Sequence, residues 1–471
     1  MKGAIRILLA CLALQALAGC AVNPVSGQED FVLMSEAQEV SLGRQANAEV
    51  LKQYKAYDSP ALQDYVNGVG QRVAHRSHRP NLKYHFTVLD SPEVNAFALP
   101  GGYVYITRGI LAYLNSEAEL AAVLGHEIGH VTARHGVRQA SAAQAADIGV
   151  SIVSVFVPEI KSVAGQNLTN LLGGVLLSGY GRDHELQADR LGAEYLARSE
   201  YDPQAMIRVI GVLKNQELFD EKLAKEEGRQ PRRYHGVFAT HPDNDTRLQQ
   251  AVGEASHLAV ANPREGYSDY LRQINGLTFS DGGEQGVVRN NKFLHSGLGI
   301  ALTFPPNWRV QNDPDKLVAI SPQSEAVIQL KAEDQPEGSP EQYARRLAGS
   351  GSQFRLETQD INQLPAAVVT TPAGIAGVIY LNRKAYVIEG KARSREAFDS
   401  WRGSMRDTIR SFHVLNAAER DQAKSLVIKL IMPRAGETYV SLARRSPLGK
   451  EAEGYLRLLN GDYPNGEPTP G

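Results

Sequence analysis

The sequence predicts an α+β protein in which a mainly helical domain with a small, edge-stranded sheet precedes a separate α+β domain and a small C-terminal segment. Hydrophobic residues recur every three or four positions through most of residues 35–265, which is the period of helices packed on a core. The period is lost in residues 266–290, and strand-like alternation with two helical stretches follows over 291–415. We therefore predict domains at 35–265 and 291–415, a linker at 266–290, and a further segment at 416–471.

The N-terminus has the pattern of a secretory signal. Lys2 and Arg6 precede an apolar run that ends at Cys20, and this run is shorter than the roughly 18 residues of a membrane span. Residues 17–20, "LAGC", resemble the bacterial lipobox, which implies a signal at 1–19, lipidation of Cys20 and a tether over 20–34. Because Ala21 rather than aspartate follows, the resemblance implies an outer-membrane lipoprotein that faces the periplasm of a Gram-negative cell; an ordinary cleaved signal is the alternative.

Cysteine content and charge argue against a fold held by disulfide bonds and against a general nucleic-acid binder. The chain has two cysteines, and Cys11 leaves with the predicted signal, so no disulfide can form within the mature chain. With 50 basic and 52 acidic residues, the chain lacks the basic excess of a general nucleic-acid binder.

The first domain is predicted to begin with two amphipathic helices, at residues 35–54 and 60–77. Residues 82–91 alternate like a strand. Two further strand-like runs flank residues 100–102, "PGG", which predict a hairpin turn.

Helix signals follow the hairpin. A helix is predicted to start at Ser116, because Glu119 stands three residues later as in a capping box. The two apolar runs in 141–178 are each too short to cross a bilayer, so we expect buried or interfacial helices there. A later helix is predicted with Asp202 as N-cap and Pro203 as its first residue.

The second domain is predicted to carry helices at 339–349 and 397–412. The latter places hydrophobic residues on one stripe, namely Phe398, Trp401, Met405, Ile409 and Phe412. We assign no functional residue to 291–415, and no repeat of 20 to 50 residues is present.

The stretch 116–136, "SEAELAAVLGHEIGHVTARHG", carries the chemistry. His126 and His130 are four residues apart, so on a helix both imidazoles lie on one face and can bind one ion. Glu127 is displaced around the helix axis and can reach a water molecule instead. This H-E-x-x-H pattern is typical of zinc hydrolases, although some matches are merely helices with surface charge.

A third ligand distinguishes the classes of such enzymes. The metzincin pattern needs a glycine and a histidine where Ala133 and Gly136 stand, so this class is excluded. The alternative is a glutamate from a later helix, and "GRDHELQADRLG" supplies Glu185, with Asp189 four residues on. Two histidines and one glutamate leave the fourth tetrahedral position open, as a catalytic zinc requires. Asp189 could accept a hydrogen bond from a ligand histidine and fix its tautomer.

Together, "LGHEIGHVTARH", "GRDHELQADRLG" and "NAFALPGGYVYITRGIL" resemble the gluzincin family of HtpX-like and CAAX-prenyl-type zinc metallopeptidases, and within it the BepA-like periplasmic lipoprotein branch. The resemblance covers about residues 30–255 and implies a zincin-type domain. It implies one Zn²⁺ per chain, bound by His126, His130 and Glu185, with Glu127 as the general base.

The resemblance extends to "THPDNDTRL", residues 240–248. It implies that His241 either stabilises the oxyanion or occupies the open zinc position and holds the enzyme inactive, while Arg247 anchors its loop. A loop residue held by Pro242 is the alternative for His241. The other nearby histidines are expected to be structural or exposed rather than ligands: His135, His184 and His235.

Substrate is expected at an edge strand. Residues Asn95, Ala96 and Phe97 would pair with the substrate backbone, a mode of binding that makes little demand on sequence. An ordinary internal strand is the alternative.

The C-terminal segment resembles a LysM module, from "LVIKLIMPRAGETYVSLARRS" to Leu459, Asn460 and Gly461. LysM modules bind N-acetylglucosamine polymers, so the resemblance implies peptidoglycan as a partner. The closing strand of the module is absent from the sequence, and a packing element is the alternative.

We predict a zinc endopeptidase that hydrolyses unfolded or misassembled cell-envelope proteins, for quality control in the periplasm. Attachment to the membrane would be through the N-terminal lipid, and nucleic acid is not expected as a partner. The alternatives are a periplasmic chaperone or assembly scaffold for outer-membrane proteins, with weak or gated proteolysis, and a cell-wall-binding adaptor.

Overall fold

The computed structural model describes residues 20–32, 34–150, 181–227, 247, 257–279, 286–312, 316–349 and 353–470. The chain divides into two compact units. Unit 1 comprises Met1–Glu226, Gln230–Leu277 and Ile428–Gly471, and unit 2 comprises Glu227–Arg229 and Thr278–Val427. The predicted signal, residues 1–19, lies outside the described residues, as do most of the first apolar run, 148–157, and all of the second, 168–177.

Unit 1 is mainly helical. Before its C-terminal segment, its described helices are α1 (Glu36–Gln53), α2 (Pro60–Ala74), α3 (Arg108–Leu111), α4 (Glu117–Thr132), α5 (His135–Val150), α6 (Arg182–Arg198), α7 (Ala205–Glu227) and α8 (Tyr267–Ile274). All residues of α4 are buried, so this helix lies at the centre of the unit. None of the helices in the described part of the chain has the length and apolar character needed to cross a membrane.

The ends of these helices test the sequence predictions. The Ser116 side chain accepts a hydrogen bond from the Glu119 N–H at 3.1 Å, which confirms the predicted start of α4. Glu119 itself caps Asn115 N–H rather than Ser116, at 2.7 Å. The predicted start of α7 at Pro203 is wrong: the helix begins at Ala205, because Asp202 Oδ1 accepts a hydrogen bond from Gln204 N–H and holds a turn before it.

In the described part of unit 1, five strands accompany these helices. Strands β1 (Cys20–Val22) and β2 (Glu29–Phe31) pair antiparallel at the start of the described chain. The main sheet of unit 1 has the order β3–β5–β4, formed by His85–Leu89, Tyr103–Thr107 and Ala96–Leu99. β4 and β5 form the predicted hairpin, in which Gly101 and Gly102 have positive φ values of 81° and 91°. Among the described residues, β4 is therefore an edge strand of this sheet.

A buried ionic network fixes the N-terminal end of α4. Glu117 accepts hydrogen bonds from Tyr65 at 2.8 Å, Arg72 at 2.8 Å and Tyr201 at 2.7 Å. Burial alone would raise the pKa of Glu117, but these hydrogen bonds and the charge of Arg72 outweigh it and lower that pKa. The network ties α2 and the end of α6 to the first turn of the central helix.

The C-terminal segment of unit 1 packs on α7. It contains α12 (Tyr439–Ala443) and α13 (Ala452–Leu459), and residues 428–470 form no strand. Phe219 of α7 contacts the rings of Tyr455 and Tyr463, with centroids 5.0 and 5.6 Å away. A Cβ atom at Gly454 would lie 2.3 Å from the Phe219 ring, so only glycine allows this contact.

Unit 2 is rich in sheet. Its largest sheet is antiparallel with the order β10–β11–β12–β16–β15–β14–β13, built from Arg309–Asn312, Leu317–Ile320, Ala326–Asp334, Lys384–Ala392, Gly374–Leu381, Leu364–Thr371 and Arg355–Ile361. A smaller sheet has the order β17–β9–β8–β7, from His413–Val414, Ile300–Thr303, Lys292–His295 and Val287–Arg289. Strands β6 (Thr278–Phe279) and β18 (Leu426–Val427) pair with each other.

Helices cover the seven-stranded sheet of unit 2 on both faces. The helix α10 (Arg395–Ser411) places the predicted hydrophobic stripe against one face, with Met405 beside Gly390 and Ile409 beside Gly377. The helix α9 (Pro340–Ala348) packs on the opposite face through Ala344. The short α11 (Ala417–Gln422) completes the described helices of unit 2. The predicted α+β character is thus confirmed for the described chain.

Candidate metal centre

The two motif histidines converge on the buried face of α4. His126 Nε2 and His130 Nε2 lie 3.0 Å apart, and both side chains are almost fully buried. One helical turn separates the residues, so their rings share a face, as the spacing predicts. Glu127, which is 2% exposed, follows His126 directly on the same helix.

Small residues let α6 cross α4 closely. Gly129 of α4 faces Ala188 of α6, and a Cβ atom at Gly129 would lie 3.0 Å from the Ala188 carbonyl oxygen. Gly125 meets Gly192 in the same way, at 3.4 Å. Because the backbones approach at these positions, the first turns of α6 bring Glu185 beside the two histidines.

Glu185 completes a cluster of three possible ligands. Its Oε2 lies 3.6 Å from His126 Nε2, and its Oε1 lies 3.4 Å from His130 Nε2. Glu185 is fully buried, and the candidate ligand atoms of all three residues lie within 4.8 Å of one another. The structure therefore assembles His126, His130 and Glu185 into a possible metal site.

The spacing of these atoms fits a zinc ion. Nitrogen and oxygen ligands bind tetrahedral zinc at about 2.0–2.2 Å, so neighbouring ligand atoms are about 3.3–3.6 Å apart. The separations of 3.4 and 3.6 Å fall within this range, and the separation of 3.0 Å lies just below it. Two imidazoles and one carboxylate are also the donor set of catalytic rather than structural zinc sites.

Asp189 and Arg247 hold His126 from behind. His126 Nδ1 lies 2.8 Å from Asp189 Oδ1, and Arg247 donates to both oxygens of Asp189, at 2.7 and 2.8 Å. Burial opposes ionisation of Asp189, but Arg247 and His126 outweigh it, and the pKa of Asp189 lies well below its usual value. An ionised Asp189 can accept a hydrogen bond from the Nδ1–H of His126, which leaves the Nε2 lone pair facing the cluster.

Arg247 also carries charge into the site. Its Nη1 lies 3.5 Å from Glu185 Oε2. Burial would lower the pKa of this guanidinium, but the carboxylates of Asp189, Glu185 and Glu127 raise it. One buried cation thus offsets part of the negative charge that three neighbouring carboxylates bring to the cluster.

Sequence reasoning missed His135 and Gln187 as neighbours of the ligands. His135 is fully buried, and its Nδ1 lies 2.9 Å from His130 Nδ1. Its Nε2 lies 3.0 Å from Gln187 Oε1. Arg134, between α4 and α5, has a positive φ of 55°, and this turn directs His135 back onto His130. The helical period of α4 could not predict this contact, because α4 ends at Thr132 and His135 begins the next helix, α5.

The expected substrate strand lies beside the cluster. Ala98, Leu99 and Pro100, at the end of β4, line a cavity of about 10 Å³ together with His130 and Val131, which is room for one water molecule. Asn95 Oδ1 is buried and has no hydrogen-bond partner among the described residues. Ala96 is buried and Phe97 is partly exposed.

The remaining predicted residues are described only in part. His241 and His235 lie outside the described residues, so the role of His241 stays a prediction. Arg247 is described, and its guanidinium donates two hydrogen bonds to Asp189, while its predicted role as a loop anchor stays a prediction. Cys20 begins β1.

Comparison with known proteins agrees with this geometry. Residues 60–255 match the sequence profile of Peptidase family M48, a range that includes His126, Glu127, His130, Glu185 and Arg247. The chain is 28% identical over 267 residues to the beta-barrel assembly-enhancing protease of Escherichia coli K12. The aligned region is 55% of this chain and 52% of that protein.

Two further relatives show similar coverage. The Yersinia pestis protein of the same name is 31% identical over 260 residues, or 53% of this chain and 50% of the relative. The mitochondrial metalloendopeptidase OMA1 of Schizosaccharomyces pombe is 29% identical over 230 residues, or 48% of this chain and 64% of the relative. The chain spans about half the length of the bacterial relatives that it matches.

Proposed function

We propose that the chain is a zinc-dependent endopeptidase that hydrolyses peptide bonds of unfolded or misassembled cell-envelope proteins; the match of residues 60–255 to the profile of Peptidase family M48 supports this. The observation that carries this proposal is the buried convergence of His126, His130 and Glu185 beside Glu127. The relatives are named as proteases and metalloendopeptidases, which supports the reaction class.

His126, His130 and Glu185 would hold one zinc ion. When bound, zinc polarises a scissile carbonyl and lowers the pKa of a water molecule to about 7. Asp189 orients His126 by accepting a hydrogen bond from its Nδ1–H, which leaves Nε2 as the ligand atom. Arg247 keeps Asp189 ionised in a buried setting.

Glu127 is proposed as the general base. Its carboxylate takes a proton from the attacking water as the water oxygen forms a bond to the carbonyl carbon. It then delivers that proton to the amide nitrogen as the C–N bond breaks, which yields a carboxylic acid and an amine, and the acid then loses the second water proton to the amine. A positioned base of this kind contributes about 10²–10⁴-fold to the rate.

The substrate backbone is proposed to pair with β4. Thr107 N–H donates to the Asn95 carbonyl, so Asn95, Phe97 and Leu99 direct their backbone groups toward β5. The alternating residues Ala96 and Ala98 then direct theirs to the outer edge. An extended peptide can add there as a further strand, and the Asn95 side chain can supply a side-chain acceptor.

His241 is proposed to act at the same site, either by stabilising the oxyanion or by holding the open ligand position in a resting enzyme. Its position six residues before Arg247 supports this, because Arg247 Nη1 lies 3.5 Å from Glu185 Oε2.

The cellular setting is proposed from the N-terminal pattern and the relatives. Lipidation of Cys20 would attach the chain to the outer membrane, facing the periplasm. The relatives from Escherichia coli and Yersinia pestis are named for beta-barrel assembly, which supports a substrate among envelope proteins. Peptidoglycan binding by residues 416–471 remains part of the proposal.

The test compares wild type, Glu127→Gln and Glu49→Gln, an exposed control on α1 whose side chain is 58% exposed. Residues 21–471 of each are incubated with an unfolded reporter protein at equal, measured zinc content. We expect cleavage by wild type and Glu49→Gln, and a loss of at least about 100-fold in Glu127→Gln. Equal cleavage by all three would reject Glu127 as the base, and no cleavage by any would favour a chaperone or scaffold.

A further inference from the structure

The two histidine ligands are held from behind in different ways. His126 contacts a carboxylate, Asp189, through its second ring nitrogen, at 2.8 Å. His130 instead contacts another imidazole, with His130 Nδ1 and His135 Nδ1 2.9 Å apart. Both His130 and His135 are buried, so bulk water does not compete for this contact.

Proton accounting gives this contact a direction. A hydrogen bond between two ring nitrogens needs one N–H and one lone pair. If His130 binds zinc through Nε2, its remaining proton is on Nδ1, which must donate to the lone pair of His135 Nδ1. A neutral His135 then carries its proton on Nε2, and this nitrogen lies 3.0 Å from Gln187 Oε1, an acceptor.

Gln187 links the two histidines to the third ligand. It lies on α6, two residues after Glu185, so the contacts connect α4, the start of α5 and α6. The ring of His184, also on α6, stacks on His135 with centroids 4.3 Å apart and planes 20° from parallel. His135 is therefore held on one side by an acceptor and on another by a ring.

We propose that His130, His135 and Gln187 form a hydrogen-bonded relay that orients His130 for zinc, with His135 as the positioning residue. This proposal rests on the proposed function, because it needs zinc at His130 Nε2. In general, the partner of a ligand histidine fixes the ring orientation and tautomer, and its loss weakens metal binding about 10–100-fold. His135 would act through His130 and contact neither substrate nor zinc.

Two substitutions separate this role from simple packing. Asparagine at position 135 can place its Oδ1 near the position of the imidazole Nδ1 and accept from His130, whereas leucine fills space without an acceptor. We expect His135→Leu to weaken zinc binding about 10–100-fold and His135→Asn to recover most of that loss. Affinity is measured by competition with a chromogenic chelator, beside the thermal midpoint of each zinc-free protein.

The control is Thr132→Val. Thr132 is buried on α4 and hydrogen-bonds to Tyr195 at 2.8 Å, without a hydrogen bond to His130, so this variant loses a buried hydrogen bond near the site. It should lower the thermal midpoint without changing zinc affinity. Equal zinc affinity for His135→Leu and His135→Asn would overturn the relay. A wild type that binds no zinc would overturn the proposed function itself, and the relay with it.

A second measurement observes the relay in the wild-type protein. Nitrogen-15 NMR of the zinc-loaded wild type distinguishes the protonated from the unprotonated nitrogen of each imidazole, with His135 assigned through its variants. We expect the proton on His130 Nδ1 and on His135 Nε2. A proton on His135 Nδ1 would contradict the relay even where zinc is bound.

Discussion

Asp189 Oδ1 lies 2.8 Å from His126 Nδ1, and the same carboxylate receives two hydrogen bonds from Arg247. The three side chains are buried, so each charge depends on the others for its compensation. Asp189, four positions after Glu185 on α6, thus links the candidate ligand His126 on α4 to Arg247 from a later part of the chain.

Replacing Asp189 by Asn should weaken zinc binding about 10–100-fold, because the neutral amide is a weaker partner for the His126 N–H. It should also lower the free energy of unfolding of unit 1 by about 3–5 kcal/mol, since the buried charge of Arg247 loses its main partner. Chelator competition and urea unfolding measure the two effects. Asp183→Asn, exposed in the first turn of the same helix, is the control and should change neither. Unchanged zinc affinity in Asp189→Asn would remove Asp189 from the site.

Removing zinc should lower the thermal stability of unit 1. A ligand that binds only the folded state adds about 4 kcal/mol at a free concentration one thousand times its Kd. The helical circular dichroism signal should therefore melt at a lower temperature after chelation, and recover when zinc is returned. Glu185→Gln should show little of this zinc-dependent shift. An equal shift in that variant would place the metal elsewhere.

The close crossing of α4 and α6 predicts opposite effects for two glycines. A Cβ atom at Gly129 would meet the Ala188 backbone at 3.0 Å, so Gly129→Ala should push α6 away and displace Glu185. We expect a loss of about 1–3 kcal/mol in the free energy of unfolding and about tenfold or more in zinc affinity.

Gly125→Ala is the matched control for this pair. Its Cβ atom would lie at an ordinary 3.4 Å from Gly192, and alanine is favoured over glycine inside a helix by about 0.5–1 kcal/mol. This variant should keep its zinc affinity and be as stable as wild type or slightly more so. Similar losses in both variants would argue that the spacing of the helices is not what positions Glu185.

Glu419 predicts a pH dependence in unit 2. It is 5% exposed and contacts Lys292 Nζ at 2.9 Å and His413 Nε2 at 3.0 Å, and it accepts from Asn416 N–H at 3.1 Å. Burial opposes its ionisation, but the hydrogen bonds from Lys292, Asn416 and His413 lower the pKa of Glu419 to about 2. An unfolded glutamate has a pKa of about 4.3, so ionised Glu419 stabilises the fold above that pH.

This stabilisation should be lost as the pH falls from about 4.3 to about 2. At neutral pH, Glu419→Gln should be about 1–3 kcal/mol less stable than wild type, and the difference should shrink over that range. Both tryptophans of the chain, Trp308 and Trp401, lie in unit 2, so their fluorescence reports its unfolding in urea. Glu325→Gln, at an exposed position, is the control. A difference that stays constant down to pH 2 would contradict the assignment.

Local patterns explain what the sequence could predict. The capping signal at Ser116 and the period of α4 depend only on neighbouring residues, so the placement of His126 and His130 followed from spacing alone. Glu185 needed the resemblance to a known family, because nothing local states which later helix crosses α4. The glycines at the crossing supply the physical reason for that meeting.

Long-range contacts explain what the sequence could not predict. His135 reaches His130 through one left-handed residue, Arg134, a conformation that its residue type does not indicate. The packing of Tyr455 and Tyr463 on Phe219 joins residues more than 200 positions apart, and no periodicity encodes such a pairing. The role of His241 stays a prediction.

That packing of the C-terminal segment on α7 affects the order of assembly during synthesis. Residues 428–470 belong to the unit that holds the metal cluster, yet the whole of residues 278–427 is translated before them. On the ribosome, α4 and α6 are already made while the surface around Phe219 still waits for its partners. Unit 1 can therefore reach its final packing only after residues 278–427 have been translated, so the surroundings of the candidate metal centre are completed later than its own helices.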